Sequence, residues 1–475
     1  MRPHRVRKWP FVPNQLVRPR VVPAVKKLTP VLSALALAAA LVATDVSAAR
    51  AEGVTCQGRP ATIVGPTEGQ ITTGTEGDDV IVAPMYGNSA VWALGGDDTV
   101  CLVDAPSTVS RDPMVSVRAG AGDDSVVNET TTAIGWFSVE LGVGADSYVG
   151  NEFGENVAAS MSDDAVAPDT EVDAISTGGG SDFVRSGTPL PGWANHDVIS
   201  TGSGSDGVVY AGLAGGSIDN GDGADSLFIN GSWTGELGID NTIRRASLGG
   251  GTVSWTNVDG FGARVAPGSS LSFAGSDADE HLNVSGTVLD LAAPAMISMG
   301  GGDDGLRLEN YLPTSVDTGA GDDTFSYLAC KAARIEIDHA AHCTTATDQQ
   351  VQTSLAGIES LFASSTETLD VVGTTGSDRL DLSAEQHVRV SGARGDDSIR
   401  AGARTVLING GRGRDLLNGA ARGDGLTIYG GRGADVLRGS RGRDRLFGGK
   451  GTDTANGRQN VDRCVAETRV NCERR

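Results

Sequence analysis

The chain has 475 residues, of which 38 are Lys or Arg and 60 are Asp or Glu, so its formal net charge is -22. This acidic balance argues against a nucleic-acid partner, and no run after residue 51 approaches the roughly twenty apolar residues of a membrane-spanning helix. With 67 glycines and 5% aromatic residues the composition is close to that of a disordered chain, but the apolar residues recur at fixed places, which favours an ordered fold.

Residues 1–51 are predicted to be a cleaved signal peptide. Basic residues up to Lys27 precede an apolar run from Val31 to Ala43, and residues 49–51 offer a small-x-small cleavage site. No twin-arginine pair precedes the run, which favours the general secretion pathway. We therefore expect a secreted, extracellular protein with no membrane span in the mature chain, although the true start could lie downstream.

A short motif recurs along the rest of the chain, in which an acidic residue stands two positions before an apolar residue. In all copies but one, the acid also stands two positions after a glycine, and the exception is Glu280, which follows Ala278. Glycine permits a tight turn with positive φ, and the apolar residue can begin a short inward-facing strand. Each copy therefore predicts a turn followed by a strand. The sixteen acids are Asp79, Asp98, Asp124, Asp146, Asp182, Asp206, Asp225, Glu280, Asp304, Asp323, Asp378, Asp397, Asp415, Asp435, Asp444 and Asp453.

The motif and a longer repeat divide the chain after the signal peptide. Residues 52–172 are predicted to form a degenerate N-terminal solenoid. The acids at 182, 206, 225 and 280 recur at 280, 304, 323 and 378, each displaced by 98 residues, so 173–272 and 273–372 are predicted to be tandem copies of one unit. Residues 373–457 hold the most regular copies of the motif, and 458–475 are predicted to be a C-terminal cap containing cysteines.

The best copies of the motif lie end to end from Gly430 to Asn456 and read close to Gly-Gly-x-Gly-x-Asp-x-apolar-x. In these residues the chain resembles the secreted bacterial repeats-in-toxin (RTX, haemolysin-type) calcium-binding repeat proteins. Similar copies extend back to Asp378, and degenerate ones to Gly74. The resemblance implies an all-β fold, a parallel β-helix or β-roll solenoid, with Ca²⁺ as the bound ion. It covers the repeat only, and no toxin activity is inferred from it.

Calcium is a hard cation that takes six to eight oxygen ligands, so the carbonyl groups and one Asp of a single loop supply about half of its shell. Two stacked loops are therefore needed to complete a site, and the chain is expected to be loose without calcium and rich in β-structure with it. The acids predicted to bind calcium are Asp79, Asp98, Asp124, Asp206, Asp225, Asp304, Asp323, Asp378, Asp397, Asp415, Asp435, Asp444 and Asp453.

Spacing predicts which loops stack. Five acids follow one another at 19, 18, 20 and 18 residues, close to two nonapeptides, which is one full turn in the resembled family: Asp378, Asp397, Asp415, Asp435 and Asp453. These loops are expected on one edge, with four calcium ions between them. Asp444 lies nine residues from each neighbour, so it falls on the opposite edge, where the sequence offers no equally good partner. The alternative is that Gly-Asp pairs only form β-turns whose carboxylates are solvated.

Six cysteines follow the predicted signal peptide. An even number in an exported chain favours disulfides, and proximity suggests the pairs Cys56–Cys101, Cys330–Cys343 and Cys464–Cys472, although six cysteines allow fifteen connectivities. The two histidines and the cysteine within 339–343 could instead hold a transition metal.

Three classes of function fit these observations. The first is an extracellular calcium-binding repeat protein, the second a calcium-dependent adhesin or matrix protein that binds polysaccharides or cell surfaces, and the third a β-helix polysaccharide lyase or epimerase. We expect no enzyme, because a nucleophile elbow, a zincin pair and a phosphate loop are all missing from the sequence. Residues 389–475 carry 18 basic and 10 acidic groups, and arginines at the x positions of the motif could contact anionic glycans or act as counter-charges to neighbouring Asp: Arg412, Arg414, Arg432, Arg441 and Arg443.

Overall fold

The computed structural model describes residues 53–65, 70–85, 87–105, 114–133, 135–160, 169–188, 194–230, 235–286, 295–344, 350–423 and 425–473, with the backbone alone at 328–330. The predicted signal peptide, 1–51, lies outside the described residues. Every regular element in these ranges is a β-strand. None of the described ranges contains a helix long and apolar enough to cross a membrane.

The strands stack into a parallel β-solenoid of about 18 turns, which confirms the predicted fold class. Most strands pair with the strand two places along the chain, so that the turns form two rows of parallel strands. In the C-terminal turns Arg379–Ala384 pairs with Ser398–Ala403, and His387–Ser391 pairs with Thr405–Arg412. The alternation of apolar and polar residues along each strand places the apolar ones inside, where they stack in rows from turn to turn.

The strand bounds are as follows. In the N-terminal part the strands are Thr55–Cys56, Arg59–Pro60, Ile63–Val64, Ile71–Thr73, Val80–Met85, Ser89–Gly95, Thr99–Asp104, Met114–Ala121, Ser125–Asn128, Trp136–Val143, Ser147–Val149 and Asn156–Ala158. In the middle they are Ala174–Ser176, Phe183–Ser186, Val198–Ser200, Ser203–Gly204, Gly207–Tyr210, Gly216–Asp219, Asp222–Gly223, Ser226–Ile229, Glu236–Asp240, Arg245–Leu248, Gly251–Thr256, Gly260–Val265, Ser270–Ala274, His281–Gly286, Met296–Ser298, Gly305–Glu309, Ser315–Asp317, Thr324–Glu336, Ala340–Thr344, Gln350–Ala356 and Ser360–Val372. In the C-terminal part they are Arg379–Ala384, His387–Ser391, Ser398–Ala403, Thr405–Arg412, Leu416–Ala421, Leu426–Arg432, Val436–Arg438, Asp444–Lys450, Thr454–Asn456, Arg463–Val465 and Thr468–Val470.

The core of the C-terminal turns is thin. One row of buried side chains runs through Leu380, Ile399, Leu417, Leu437 and Ala455, and the facing row consists of aliphatic residues followed by Cys464. The strands of each turn add only a few apolar side chains to the core, such as Leu380 and Leu382 on one side and Val388 and Val390 on the other. Little apolar surface is therefore buried per turn, and the loops contribute a large share of what decides stability here.

Two excursions interrupt the parallel stacking. Glu236–Asp240, Arg245–Leu248 and Gly251–Thr256 form an antiparallel meander, and the end of Thr324–Glu336 forms a second one with the next two strands along the chain. Strand positions such as 198–200 and 296–298 are displaced by 98 residues. The segment boundaries drawn from the sequence stay predictions.

Disulfides close the solenoid near both ends. Cys56 bonds to Cys101, and Cys464 bonds to Cys472, as predicted. Cys343 is also disulfide-bonded, which leaves no free thiol for the metal cluster considered at 339–343. The side chain of its predicted partner, Cys330, lies outside the described residues.

Candidate metal site

In the C-terminal turns the acid of each loop stacks on the acid of the next. The backbone N–H of Asp378 donates a hydrogen bond to Oδ1 of Asp397 (2.9 Å). The same bond, at 3.0 Å each time, links Asp397 to Asp415, Asp415 to Asp435 and Asp435 to Asp453. We call these five residues the roll ladder. The five acids that spacing placed on one edge therefore lie on one edge.

One oxygen of most roll-ladder carboxylates is left without a partner. Asp397, Asp415, Asp435 and Asp453 are at most 2% exposed, and the Oδ2 atom of each has no hydrogen bond to any described residue. An unpaired buried carboxylate oxygen is costly, because it loses its water without gaining a donor. The fold thus presents four buried, anionic oxygens in succession, each of which needs a cation or a proton.

Glycine keeps the space beside these oxygens open. A Cβ added at Gly430 would lie 2.5 Å from Oδ2 of Asp435 and 2.5 Å from the carbonyl oxygen of Gly448 in the next turn. Gly433 has φ +135°, and a Cβ there would overlap the carbonyl oxygen of Gly413. The carboxylate of one loop and a carbonyl of the following loop therefore converge on a gap that a larger residue would fill.

Burial and the charges of neighbouring acids shift the carboxyls of Asp397, Asp415 and Asp435 towards the protonated form. Loss of water, followed by the charges of Asp378, Asp415 and Asp396, raises the pKa of Asp397 to about 7. Loss of water also raises the pKa of Asp435 to about 6 and raises that of Asp415. A bound cation would supply the missing counter-charge and return these groups to the ionised form.

Two predicted ligands are satisfied within their own loops. Both carboxylate oxygens of Asp378 accept bonds from Thr374, through its backbone N–H (2.9 Å) and its hydroxyl (2.8 Å). Asp444 is bonded in the same way by the backbone N–H (2.6 Å) and the hydroxyl (2.8 Å) of Ser440. These loops start their stacks, and in the roll ladder Thr374 stands where the following loops have glycine or alanine.

The other predicted ligands fall into separate ladders. Asp79, Asp98 and Asp124 stack on the opposite edge, linked by N–H to Oδ1 bonds of 2.7 and 2.9 Å, and this ladder continues to Asp197. The remaining four lie on the edge of the roll ladder, in the pairs Asp206 with Asp225 (2.8 Å) and Asp304 with Asp323 (2.9 Å). All seven of these acids are buried, and in every one except Asp79 the Oδ2 atom has no hydrogen-bond partner among the described residues.

The structure corrects the expectation for Asp444, which does have a partner. Its backbone N–H donates to Oδ1 of Asp462 (2.9 Å), and Asp462 in turn bonds to the Glu473 carboxylate. Sequence reasoning missed Asp462 because no glycine stands two positions before it. The acid-x-apolar half of the motif would have found it, together with further ladder members that also lack this glycine: Glu155, Asp173, Asp197 and Asp259. Glu359, which accepts a bond from the backbone N–H of Asp323, was also missed although it stands two positions after Gly357 and two before Leu361.

The donors fit calcium by their chemistry. Within the described ranges no three carboxylate, imidazole or thiol side chains converge on one point, so side chains alone make no cage. The four roll-ladder loops after the first instead each offer one free carboxylate oxygen and the carbonyl oxygens of their glycines, and all of these are hard ligands. Asp397, Asp415, Asp435 and Asp453 are the residues that would hold the ion.

Comparison with known families identifies the type of the C-terminal repeats. A family model for the RTX calcium-binding nonapeptide repeat, of four copies, matches residues 391–424 and 427–462. A search of curated proteins found no match. The matched residues include every roll-ladder acid with an unpaired oxygen, and Asp444 and Asp462 as well. Residues 391–462 thus carry RTX-type repeats, as the sequence predicted, and these repeats are calcium-binding motifs in a β-solenoid.

Proposed function

We propose that this RTX-type repeat protein is exported and that calcium, held between stacked loops of residues 391–462, orders and stiffens its β-roll outside the cell. The observation that carries the proposal is the row of four buried carboxylates, each with one unpaired oxygen beside a glycine gap. Asp397, Asp415, Asp435 and Asp453 form this row.

Electrostatics explains why the roll would need the ion. The ladder carboxyls lie one strand spacing apart, about 4.8 Å, so their ionised forms repel one another at neutral pH. The core beneath them is thin and cannot easily offset this repulsion. A divalent cation shared between adjacent loops removes it and adds metal–oxygen bonds that cross from turn to turn. Calcium would therefore stabilise the folded roll by binding it and not the unfolded chain.

Two features support export. The predicted signal peptide at 1–51 directs the chain out of the cytoplasm, and the Cys56–Cys101 and Cys464–Cys472 disulfides are stable in oxidising compartments. Extracellular calcium modules bind in the range of about 0.1–1 mM. A roll with such affinity would stay loose during export and fold after it.

The test is a calcium titration of the full chain that remains after removal of residues 1–51. We expect β-structure in circular dichroism and slow hydrogen exchange over 391–462 to appear with calcium and to be lost with a chelator. Magnesium, which requires stricter octahedral geometry, is the control and should not replace calcium. Equal exchange protection with and without calcium would contradict the proposal.

Lack of enzymatic activity stays a prediction. Incubation of the calcium-loaded chain with acidic polysaccharides, followed by measurement of new reducing ends and of unsaturated products, tests it. Turnover in this assay would favour the lyase or epimerase class instead.

A further inference from the structure

Four cations stand in a row on the edge that carries the roll ladder. They occupy the third position of successive loops, and their backbones are paired in register: Arg394 with Arg412, Arg412 with Arg432, and Arg432 with Lys450. The backbone N–H of Gly395 donates to the carbonyl of Arg412 (2.8 Å), and the equivalent bond recurs in the next two loops. We call these four residues the cation row.

The cation row has no counter-charge among the described residues. All four side chains are exposed, and none makes an ion pair with a described carboxylate. The nearest loop acid in sequence, Asp396, instead accepts a bond from the backbone N–H of Arg414 (2.7 Å). Like charges directly opposite one another on neighbouring strands are destabilising. The counter-charge interpretation of Arg412 and Arg432 is therefore not supported, and the row is suited to an external anion with regularly spaced charges.

An aromatic surface lies on the same strands as the cation row. Tyr429 precedes Arg432 by three residues and is 45% exposed, and its ring stacks on that of Phe447 at 5.2 Å and 12°. Tyr429 also borders a groove of about 590 Å³, whose lining includes Arg389 and Asn409. Exposed aromatic rings beside guanidinium groups are suited to a ligand with flat, apolar ring faces and negative charges.

We propose that the cation row and the groove beside Tyr429 bind a linear anionic polysaccharide that runs along the solenoid axis. Its carboxylates pair with Arg412, Arg432 and their neighbours in the row, and a sugar ring packs against Tyr429. The inference rests on the proposed calcium-ordered roll, because only a folded roll brings the four cations into register. Calcium also neutralises the adjacent ladder carboxylates, which makes this edge more positive.

The charge distribution favours a polysaccharide over a nucleic acid. Residues 389–475 carry 18 basic and 10 acidic groups, and residues 1–51 carry nine basic groups and one acidic group. Subtraction from the totals of 38 and 60 leaves 11 basic and 49 acidic groups for residues 52–388. Double-stranded DNA carries one charge per about 1.7 Å, so this acidic part would repel it strongly. A polymer with one carboxylate per sugar has a lower charge density and can follow a single row of cations.

The test uses the full exported chain loaded with calcium and oligogalacturonate chains too short to gel with calcium. Binding is measured by calorimetry for the wild type, for the double variant Arg412→Gln/Arg432→Gln, and for the control Arg400→Gln/Arg438→Gln. The control pair is exposed on the other strand row of the same turns and removes the same charge. We expect about a tenfold loss of affinity for the first variant and less than about a twofold loss for the control. Tyr429→Ala should also weaken binding without changing the charge.

Equal losses in both double variants would overturn the inference, since they would indicate attraction to overall charge. No binding by the wild type, or tighter binding of a single-stranded oligonucleotide than of the oligosaccharide, would overturn it as well. Calcium binding measured on the same samples separates the two proposals. Calcium binding without oligosaccharide binding defeats this inference alone, whereas oligosaccharide binding without calcium binding supports the row and defeats the proposed function.

Discussion

Replacement of Asp397 by Asn tests whether the roll-ladder carboxylates bind calcium or only form turns. Asn keeps an Oδ1 acceptor for the backbone N–H of Asp378, which donates at 2.9 Å, but removes the negative charge and one ligand oxygen. The substitution should therefore have opposite effects in the two states of the protein. It should stabilise the metal-free roll and weaken the calcium-loaded one.

The size of the first effect follows from the pKa of Asp397, which burial raises from 3.8 to about 7. Such a shift corresponds to about 4 kcal/mol between the charged and neutral forms at a pH above both values. Water near the loop screens this cost, so we expect a gain of roughly 2 kcal/mol for Asp397→Asn without metal. With calcium, loss of a charged ligand should weaken binding by roughly 1.5–3 kcal/mol.

Apparent melting temperature and hydrogen exchange over 391–462, each with calcium and with a chelator, measure both effects. Asp396→Asn is the matched control, because it removes the same charge from an exposed neighbour in the same loop. We expect the control to change little in either state. If Asp397→Asn destabilises the metal-free chain, and calcium stabilises the variant as much as it stabilises the wild type, the ladder carboxylate does not bind calcium and the reasoning fails.

Four further predictions concern the same loops. Burial raises the pKa of ladder carboxyls such as that of Asp435, to about 6. The metal-free roll should therefore be most stable below about pH 4 and should lose stability as the pH rises through 6 to 7. Chemical unfolding with chelator at several pH values measures this, and a rise in stability with pH would contradict it. For the same reason calcium should release protons near pH 6, seen in calorimetry as a dependence on buffer ionisation enthalpy that disappears at alkaline pH. Gly430→Ala should lower calcium affinity by filling the gap beside the carboxylate. The control Gly423→Ala, where an added Cβ meets nothing closer than 3.9 Å, should not lower it. Equal affinities of the two variants in calorimetry would contradict the proposal that calcium occupies the gap. Asp462→Ala, which removes the Oδ1 acceptor of the Asp444 N–H, should loosen the stack begun by Asp444, measured as faster exchange of amides in 444–470, and unchanged exchange would show that this second ladder contributes no stability.

The sequence was sufficient to predict the solenoid and the roll ladder, because each nonapeptide specifies turn, carboxylate and strand within a few residues. It was not sufficient for the second C-terminal ladder. Two positions before Asp462 stands Asn460, with φ +71°, in place of the usual glycine. Asn tolerates the left-handed region better than other non-glycine residues, so the turn persists although the motif is broken.

The antiparallel meanders were also beyond sequence reasoning. Strands such as Arg245–Leu248 and Ala340–Thr344 carry the ordinary alternation of a half-buried strand, and alternation does not reveal the direction of pairing. The short connections on either side decide it, since a hairpin reverses the chain where a solenoid turn would continue it.

Where a ladder acid keeps an unpaired Oδ2, the residue five positions before it distinguishes the loops whose gap is open to a cation from those whose gap is filled. In the repeat segment this residue is glycine, as at Gly430, and the gap beside the carboxylate stays free. In the middle of the chain it is often threonine. The Thr201 hydroxyl, five residues before Asp206, donates to the carbonyl of Asn220 (3.1 Å). One turn earlier the Thr177 hydroxyl donates to the carbonyl of Thr201 (3.1 Å). There a hydroxyl occupies the place of the gap and uses a carbonyl that a cation would need. The stacked carboxylates are thus a property of the whole solenoid, whereas the room for calcium depends on one glycine per loop and is concentrated in 391–462.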